Sequence, residues 1–283
     1  MMLKDARDYQ ILFLSLFLFL GIGTRDWTLR WDLMVSTITV CLLTQWFLAA
    51  VVNYSKAQQE WNFQPLNLFS STILSGLRSA MITGLSLCLL LRANDQSTMA
   101  MAACLAIASK FIFCYQGKHF FNPANFGIIA ALILTQDAWV SPGQWGADWW
   151  YLLLFTCTGG MLLKRVGRGD TSAAFLLTYG GMMALRNSWL GWTWDVWYHQ
   201  LMNGSLLLFA FFMLTDPRSI PNARVGRLVW AISIAVVAFV LQEQFYLSTA
   251  IFWALFAVAP LTVVLDYIWS APWFSWSSTA NAR

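Results

Sequence analysis

Ten long apolar runs follow one another with hardly a charge inside them, and that pattern leaves this chain few folds to choose from. They lie at roughly 9–23, 31–53, 75–92, 97–115, 122–136, 148–164, 172–187, 196–215, 226–242 and 246–267. A helix satisfies its own backbone hydrogen bonds, and about 20 residues of it cross a bilayer, so such runs read as membrane helices. The runs are continuous rather than alternating, which argues against a β-barrel. Composition agrees, at 59% hydrophobic and 11% charged, where a soluble domain carries about a quarter charged residues. A net charge of +4, spread along the chain, argues against a nucleic-acid partner. The expected fold is an all-α polytopic membrane protein, a single membrane domain over 1–283 whose first partner is the lipid bilayer.

The basic residues orient it. With ten spans, one set of connections, including both termini, holds thirteen Lys and Arg: Lys4, Arg7, Lys56, Arg78, Lys110, Lys118, Lys164, Arg165, Arg168, Arg218, Arg224, Arg227 and Arg283. The other set holds four: Arg25, Arg30, Arg92 and Arg186. Basic residues stay on the cytoplasmic side, so both termini are expected there, in a bacterial cytoplasmic (inner) membrane. The first run, Tyr9 to Gly23, has no small-residue cleavage site and reads as a retained helix. Tryptophan divides the opposite way: ten of 17 lie in the outer connections, densest between Trp139 and Trp150. Indoles favour the headgroup level, half apolar and half wet. The stretch from Asn53 to Leu74, with Trp61 and Phe63 among polar residues, reads as an interfacial amphipathic segment.

A weak internal echo links the third and eighth runs. Ser79-Ala80-Met81-Ile82-Thr83-Gly84-Leu85, leading to Leu91-Arg92-Ala93-Asn94-Asp95, resembles Leu201-Met202-Asn203-Gly204-Ser205-Leu206-Leu207, leading to Leu214-Thr215-Asp216-Pro217-Arg218. The two lie five helices apart, and an odd number of helices per repeat inverts the halves in the membrane. A 5+5 inverted repeat is therefore expected, with halves 9–136 and 148–267.

Chemistry-bearing residues are few. The two histidines, His119 and His199, fall on opposite faces of the expected topology, so neither a haem nor a metal site is expected. The five cysteines lie in apolar runs without a C-x-x-C pair and read as small apolar filler. No nucleophilic triad or phosphate-binding loop occurs, and no autonomous catalytic residue is assigned. Two polar blocks stand out. Lys118-His119-Phe120-Phe121-Asn122-Pro123-Ala124-Asn125 opens the fifth run, and Thr215-Asp216-Pro217-Arg218 closes the eighth. Asn122 and Pro123 suit a helix start, but Asn125 one turn inside and the basic pair beside it have no such explanation. Amides, one acid and nearby bases suit a polar heterocycle such as a flavin ring or a quinone head.

These blocks carry a family resemblance. Residues 79–90 (SAMITGLSLCLL), 117–129 (GKHFFNPANFGII), 159–165 (GGMLLKR), 204–227 (GSLLLFAFFMLTDPRSIPNARVGR) and 260–266 (PLTVVLD) resemble the RnfD protein of Rnf electron-transport complexes and the NqrB protein of the sodium-pumping NADH:quinone oxidoreductase. The resemblance implies ten helices in an inverted repeat and a place among other membrane subunits of a redox complex. It also implies a flavin (riboflavin or FMN) held noncovalently near the cytoplasmic side by His119, Asn122 and Asp216, with Asn125 as a neighbour. His119 stands where such proteins often have Asn. The alternatives are a flavin-free structural subunit of a larger redox or photosynthetic complex, and a small-solute transporter or channel-like protein.

Family members attach FMN to a Thr in an S-G-A-T type motif on the outer loop after the fifth helix. Here that connection, Thr135 to Asp148, lacks the motif, and Thr171-Ser172-Ala173-Ala174 lies on the cytoplasmic side. No covalent FMN is expected: the intact mass should equal that of the polypeptide, and an FMN phosphoester adduct would refute this reading.

Overall fold

The computed structural model describes residues 5–25, 30–59, 71–140, 145, 148–274 and 276. Helix occupies each of the ten apolar runs. α1 (Ala6–Arg25), α2 (Trp31–Gln59), α3 (Ser71–Leu90), α4 (Gln96–Ile112) and α5 (Pro123–Leu134) take the first five. α6 (Trp149–Val166) and α7 (Gly169–Leu190) follow. The eighth run is broken into α8 (Trp194–Leu201), α9 (Gly204–Leu208) and a π-helical turn, Phe209–Met213. α10 (Arg224–Phe245) is continuous, and the tenth run bends by 48° between α11 (Ala250–Val258) and α12 (Leu261–Ile268) at Pro260. Most of the stretch expected to be amphipathic, 60–70, lies outside the described residues, as do 141–144 and 146–147 of the outer connection.

Four helices are long and apolar enough to cross a bilayer by themselves: the spans Ala6–Thr24, Trp31–Ser55, Ile73–Leu90 and Arg224–Phe245. The bent α11–α12 pair makes a fifth. The expectation of ten full spans is thus met by helix at every position but by full spanning length at only half of them. α5, with 12 residues, is about 18 Å long, well short of a hydrocarbon core of about 30 Å. The outer surface is lipid-like. Phe19, Leu177 and Leu185 are each more than 60% exposed, on helices whose other faces are buried.

Within the first half, α1 packs on α3, α2 on α3 and α4, and α4 on α5. Within the second, α6 packs on α9 and the π turn, α7 on α10, and α10 on α11. The halves meet where α1 touches α6 and α5 touches α11. Two short ribbons finish the ends. β1 (Leu91–Ala93) pairs antiparallel with β4 (Ala138–Val140), Leu91 facing Val140. β2 (Cys114–Tyr115) and β3 (Lys118–His119) form a hairpin, Cys114 facing His119. Its two turn residues, Gln116 and Gly117, both have positive φ (50° and 79°), the conformation that a two-residue hairpin loop requires.

Each half also carries an Arg–Asn–Asp clamp. In the first, Arg30, just before α2, donates to the carbonyl of Asn94 at 2.6 Å. The Asp137 carboxylate accepts the backbone N–H of Asn94 (3.1 Å) and of Asp95 (2.9 Å). In the second, Arg168, just before α7, donates to the carbonyl of Asn222 at 3.1 Å, and Asp266 accepts the Asn222 N–H at 2.7 Å. Asn94 and Asn222 each stand two residues before a helix, α4 and α10. The clamps close opposite ends of α5. Asp137 lies beyond its C-terminus, and Asp266 is paired at 2.6 Å with Lys118, ahead of its N-terminus.

Close packing of α5 on α4 depends on one glycine. A Cβ at Gly127 would lie 2.6 Å from the Ala102 carbonyl oxygen and 2.8 Å from the Ala106 Cβ, whereas one at Gly160 meets nothing within 4 Å. Gly127→Val is expected to cost about 1–3 kcal/mol of stability through overpacking, read as a lower thermal midpoint in detergent. Gly160→Val should leave the midpoint nearly unchanged, and equal losses would refute the packing argument.

Candidate functional site

The hairpin and the start of α5 come from one polar block, and each residue in it is held for a separate reason. Pro123 takes the first helical position, and the Asn122 side chain caps the helix, its oxygen accepting the Asn125 N–H at 3.1 Å. The Asn122 amide also donates to the Met213 carbonyl at 3.0 Å. That carbonyl belongs to the π turn, where i→i+5 bonding widens the helix. Neighbouring carbonyls of this turn are also taken by side chains. Ser172 of α7 donates to Ala210 O at 2.6 Å, and Gln10 of α1 donates to Phe212 O at 3.3 Å. Three helices therefore grip the π turn, and it delivers Thr215 and Asp216 to the end of the bundle.

There Asp216 meets His119, with Nε2 and Oδ2 3.5 Å apart. Burial alone would raise the Asp216 pKa, but the His119 ring, the Arg218 N–H and Lys110 hold it below the usual carboxylate value. Burial pushes the His119 pKa below its usual value, only partly offset by Asp216 and aided by Lys110 and Arg218. Both directions describe a neutral imidazole beside an ionised carboxylate.

The pair lines a cavity of about 830 Å³. Its other walls come from the start of α1 (Asp5, Arg7), from α2 (Gln45, Asn53), from α3 (Ser75, Gly76, Ser79) and from the end of α4 (Lys110, Phe111). Arg218, Gly117 and Trp276 complete it. Lys110 donates to the Ser79 hydroxyl at 3.2 Å. Arg7 is bound bidentately by Asp5, at 2.6 Å and 3.0 Å, and sits 5.0 Å above the Trp276 ring. Among the described residues, Gln45 Oε1 is buried with no hydrogen-bond partner, an acceptor in the wall without a donor.

The structure thus brings His119 and Asp216 together. Asn122 lines a cavity of about 50 Å³ that Arg7, Ser79, Asp216 and Trp276 also line, so it adjoins the main cavity. Asn125 lines neither. It is buried between α5 and α11, its amide donating to the Phe252 carbonyl at 3.1 Å. Sequence reasoning misses Arg7, Gln45 and Lys110 as site residues. The signal for Lys110 is present, a cation just inside an apolar run, but by sequence it marks only orientation. The tryptophans of the outer connection divide as well. Trp145 is fully buried, edge-on to Tyr151 and Phe155, while Trp149 and Trp139 are exposed.

These features describe a polytopic helical membrane protein with a polar, ligand-sized chamber at its basic end. Residues 135–271 match the NQR2, RnfD, RnfE family, just under half of the chain. A stretch of 117 residues is 30% identical to the RnfD-type protein of the ion-translocating oxidoreductase complex of Stutzerimonas stutzeri, covering 41% of this chain and 33% of that protein. The chain is RnfD-like over this region, as the blocks at 159–165, 204–227 and 260–266 led us to expect.

Both pKa directions carry the same sign for stability. A group whose pKa is depressed by folding stabilises the fold above its unfolded value, and that contribution falls away on acidification. Stability is therefore expected to decline from about pH 6.5 downward through His119, and again below about pH 4 through Asp216. Thermal midpoints measured from pH 7 to pH 5 should fall less steeply in His119→Asn than in the unaltered protein. Identical slopes would remove His119 as the cause.

Proposed function

We propose that the chain is a membrane component of an Rnf-like electron-transport complex in a bacterial cytoplasmic membrane, working beside other membrane subunits. We further propose that its basic-end chamber holds a flavin, riboflavin or FMN, without a covalent bond. The family match and the similarity to the Stutzerimonas stutzeri protein support the first part. The single observation that carries the second is the chamber itself. Its volume of about 830 Å³ lies in the range of small-molecule sites, and one of its buried wall acceptors, Gln45 Oε1, lacks a donor. A ring N–H would satisfy that acceptor.

The remaining groups fit the same guest. Phe111 and Trp276 offer aromatic faces, and Lys110, Arg7 and Arg218 offer positive charge. A flavin supplies one- and two-electron chemistry that no side chain here provides. The protein's part is to bind and orient the ring, to favour its electron-rich state through those cations, and to carry a proton. His119 Nε2, beside Asp216, is a base of suitable kind at the wall. Asn122 supports the chamber from the adjoining cavity through its grip on the π turn.

The clamps favour the 5+5 inverted arrangement for the whole chain. Arg30-Trp31-Asp32 opens α2 and Arg168-Gly169-Asp170 opens α7, and each arginine reaches an asparagine two residues before the fourth helix of its half. The acids that complete them follow the fifth helical position of each half and close opposite ends of α5. Contacts of α1 with α6 and of α5 with α11 pair equivalent positions, as a two-fold axis in the membrane plane would. In this reading all ten helical positions cross the membrane, the short ones with help from their neighbours, and both termini lie at the basic, cytoplasmic end.

Full-length protein purified gently in detergent is expected to show flavin absorbance, all of it released on denaturation. Asp216→Asn and Gln45→Leu should each retain about tenfold less flavin or lower still, since each loses a buried polar contact. A colourless protein that copurifies with partner subunits, and is unaffected by either substitution, would leave a purely structural role.

A further inference from the structure

The β2–β3 hairpin has a second face. Side chains of neighbouring strand residues point to opposite sides, and directly opposed residues share a side. Cys114 and His119 are opposed and face the large chamber, whereas Tyr115 and Lys118 are opposed and face away from it. On that far face is a separate cavity of about 270 Å³. Its rim is aromatic, made by Tyr115, Phe120, Tyr267 and Trp273. Its polar floor is Lys118, Asp266 and Asn222.

The floor has hydrogen-bonding capacity to spare. Asn222 is 8% exposed, and among the described residues its side-chain oxygen has no hydrogen-bond partner. A buried acceptor left in that state costs free energy that a ligand donor would return. Lys118 donates to the Ile220 carbonyl and to Asp266 Oδ2, both at 2.6 Å. An ammonium has three N–H groups, so one remains for a ligand acceptor. The volume is just below the usual range for drug-sized guests, which suits two fused rings without a tail, and the aromatic rim suits a flat guest.

We infer that this cavity binds a planar two-ring heterocycle carrying an N–H and a C=O side by side on one edge, the N–H directed to Asn222 and the C=O to Lys118. The inference stands whether or not the larger chamber holds a flavin.

Calorimetric titration of the full-length protein in nanodiscs with 2-quinolone tests it. One saturable site is expected above partition into empty nanodiscs, with N-methyl-2-quinolone, whose donor is blocked, bound at least about tenfold more weakly. Val263→Trp, which fills the cavity without replacing either polar contact, should abolish binding and leave the flavin content of the other chamber unchanged. Asn222→Leu should erase the preference between the two lactams. If that variant fails to fold, the N-methyl comparison on the unaltered protein still decides. Equal binding of the two lactams, undiminished binding in Val263→Trp, or uptake matching empty nanodiscs would each overturn the inference.

Discussion

A helix interrupted inside an apolar solvent leaves backbone groups that no water satisfies, and the architecture here follows from how those groups are met. The eighth helical position is broken twice and contains a π turn. Side chains from α1, α5 and α7 reach its carbonyls, through Gln10, Asn122 and Ser172. These bonds are why helices distant in sequence converge on one point, and why that point lies beside the chamber. At the bundle ends the Arg–Asn–Asp clamps do the same for the connections before α4 and α10. Remove the need to satisfy these breaks and little would hold the two halves in one orientation, because helix–helix contact in lipid lacks the hydrophobic driving force it has in water.

Polar groups spent in this way are unavailable for ligands, which separates the scaffold from the site. Asn122 and Asn125 look alike in sequence, three residues apart in one helix start. Asn122 has both ends of its amide engaged, on Asn125 N–H and Met213 O. Asn125 holds α11 through Phe252 O. By contrast, Gln45 Oε1 and Asn222 Oδ1 are buried acceptors without donors, one beside each cavity on either side of the hairpin. Buried unpaired acceptors are costly in a low-dielectric interior, so their positions at cavity walls are more informative than the number of polar residues nearby.

How much of this is legible in the sequence varies with the range of the interaction. Helix at each of the ten runs is readable because an apolar run in lipid has no other way to satisfy its backbone, and the boundaries are close, as with 31–53 against Trp31–Gln59. Pro260 announces the bend in the tenth run. The π turn is invisible, since Phe209–Met213 is as apolar as any helix and its widening is imposed by side chains from elsewhere. The encounter of His119 with Asp216 is readable in kind, as two polar blocks in an apolar chain, but Arg7 and Gln45 enter the chamber through packing of α1 and α2 that no local pattern encodes. The echo of Leu91–Asp95 in Leu214–Arg218 locates the helix ends correctly. The connection after the eighth position is longer, so Asn222 rather than Asp216 occupies the place of Asn94.

The hairpin gives the basic end its logic. Lys118 and His119 are neighbours in sequence, and a basic pair of this kind invites reading as one site. The strand pleat separates them: His119 turns to Asp216 and the large chamber, Lys118 to Asp266 and the small one. Each base therefore has its own acid, and neither adds its charge directly to the other's cavity wall. The ribbon between them is a single layer of backbone, fixed by a two-residue turn that requires positive φ at both Gln116 and Gly117. A partition this thin, anchored by an ion pair on each face, lets two cavities of different size and polarity lie back to back at one end of the bundle. What binds on one face would then bear on the other chiefly through the position of this ribbon.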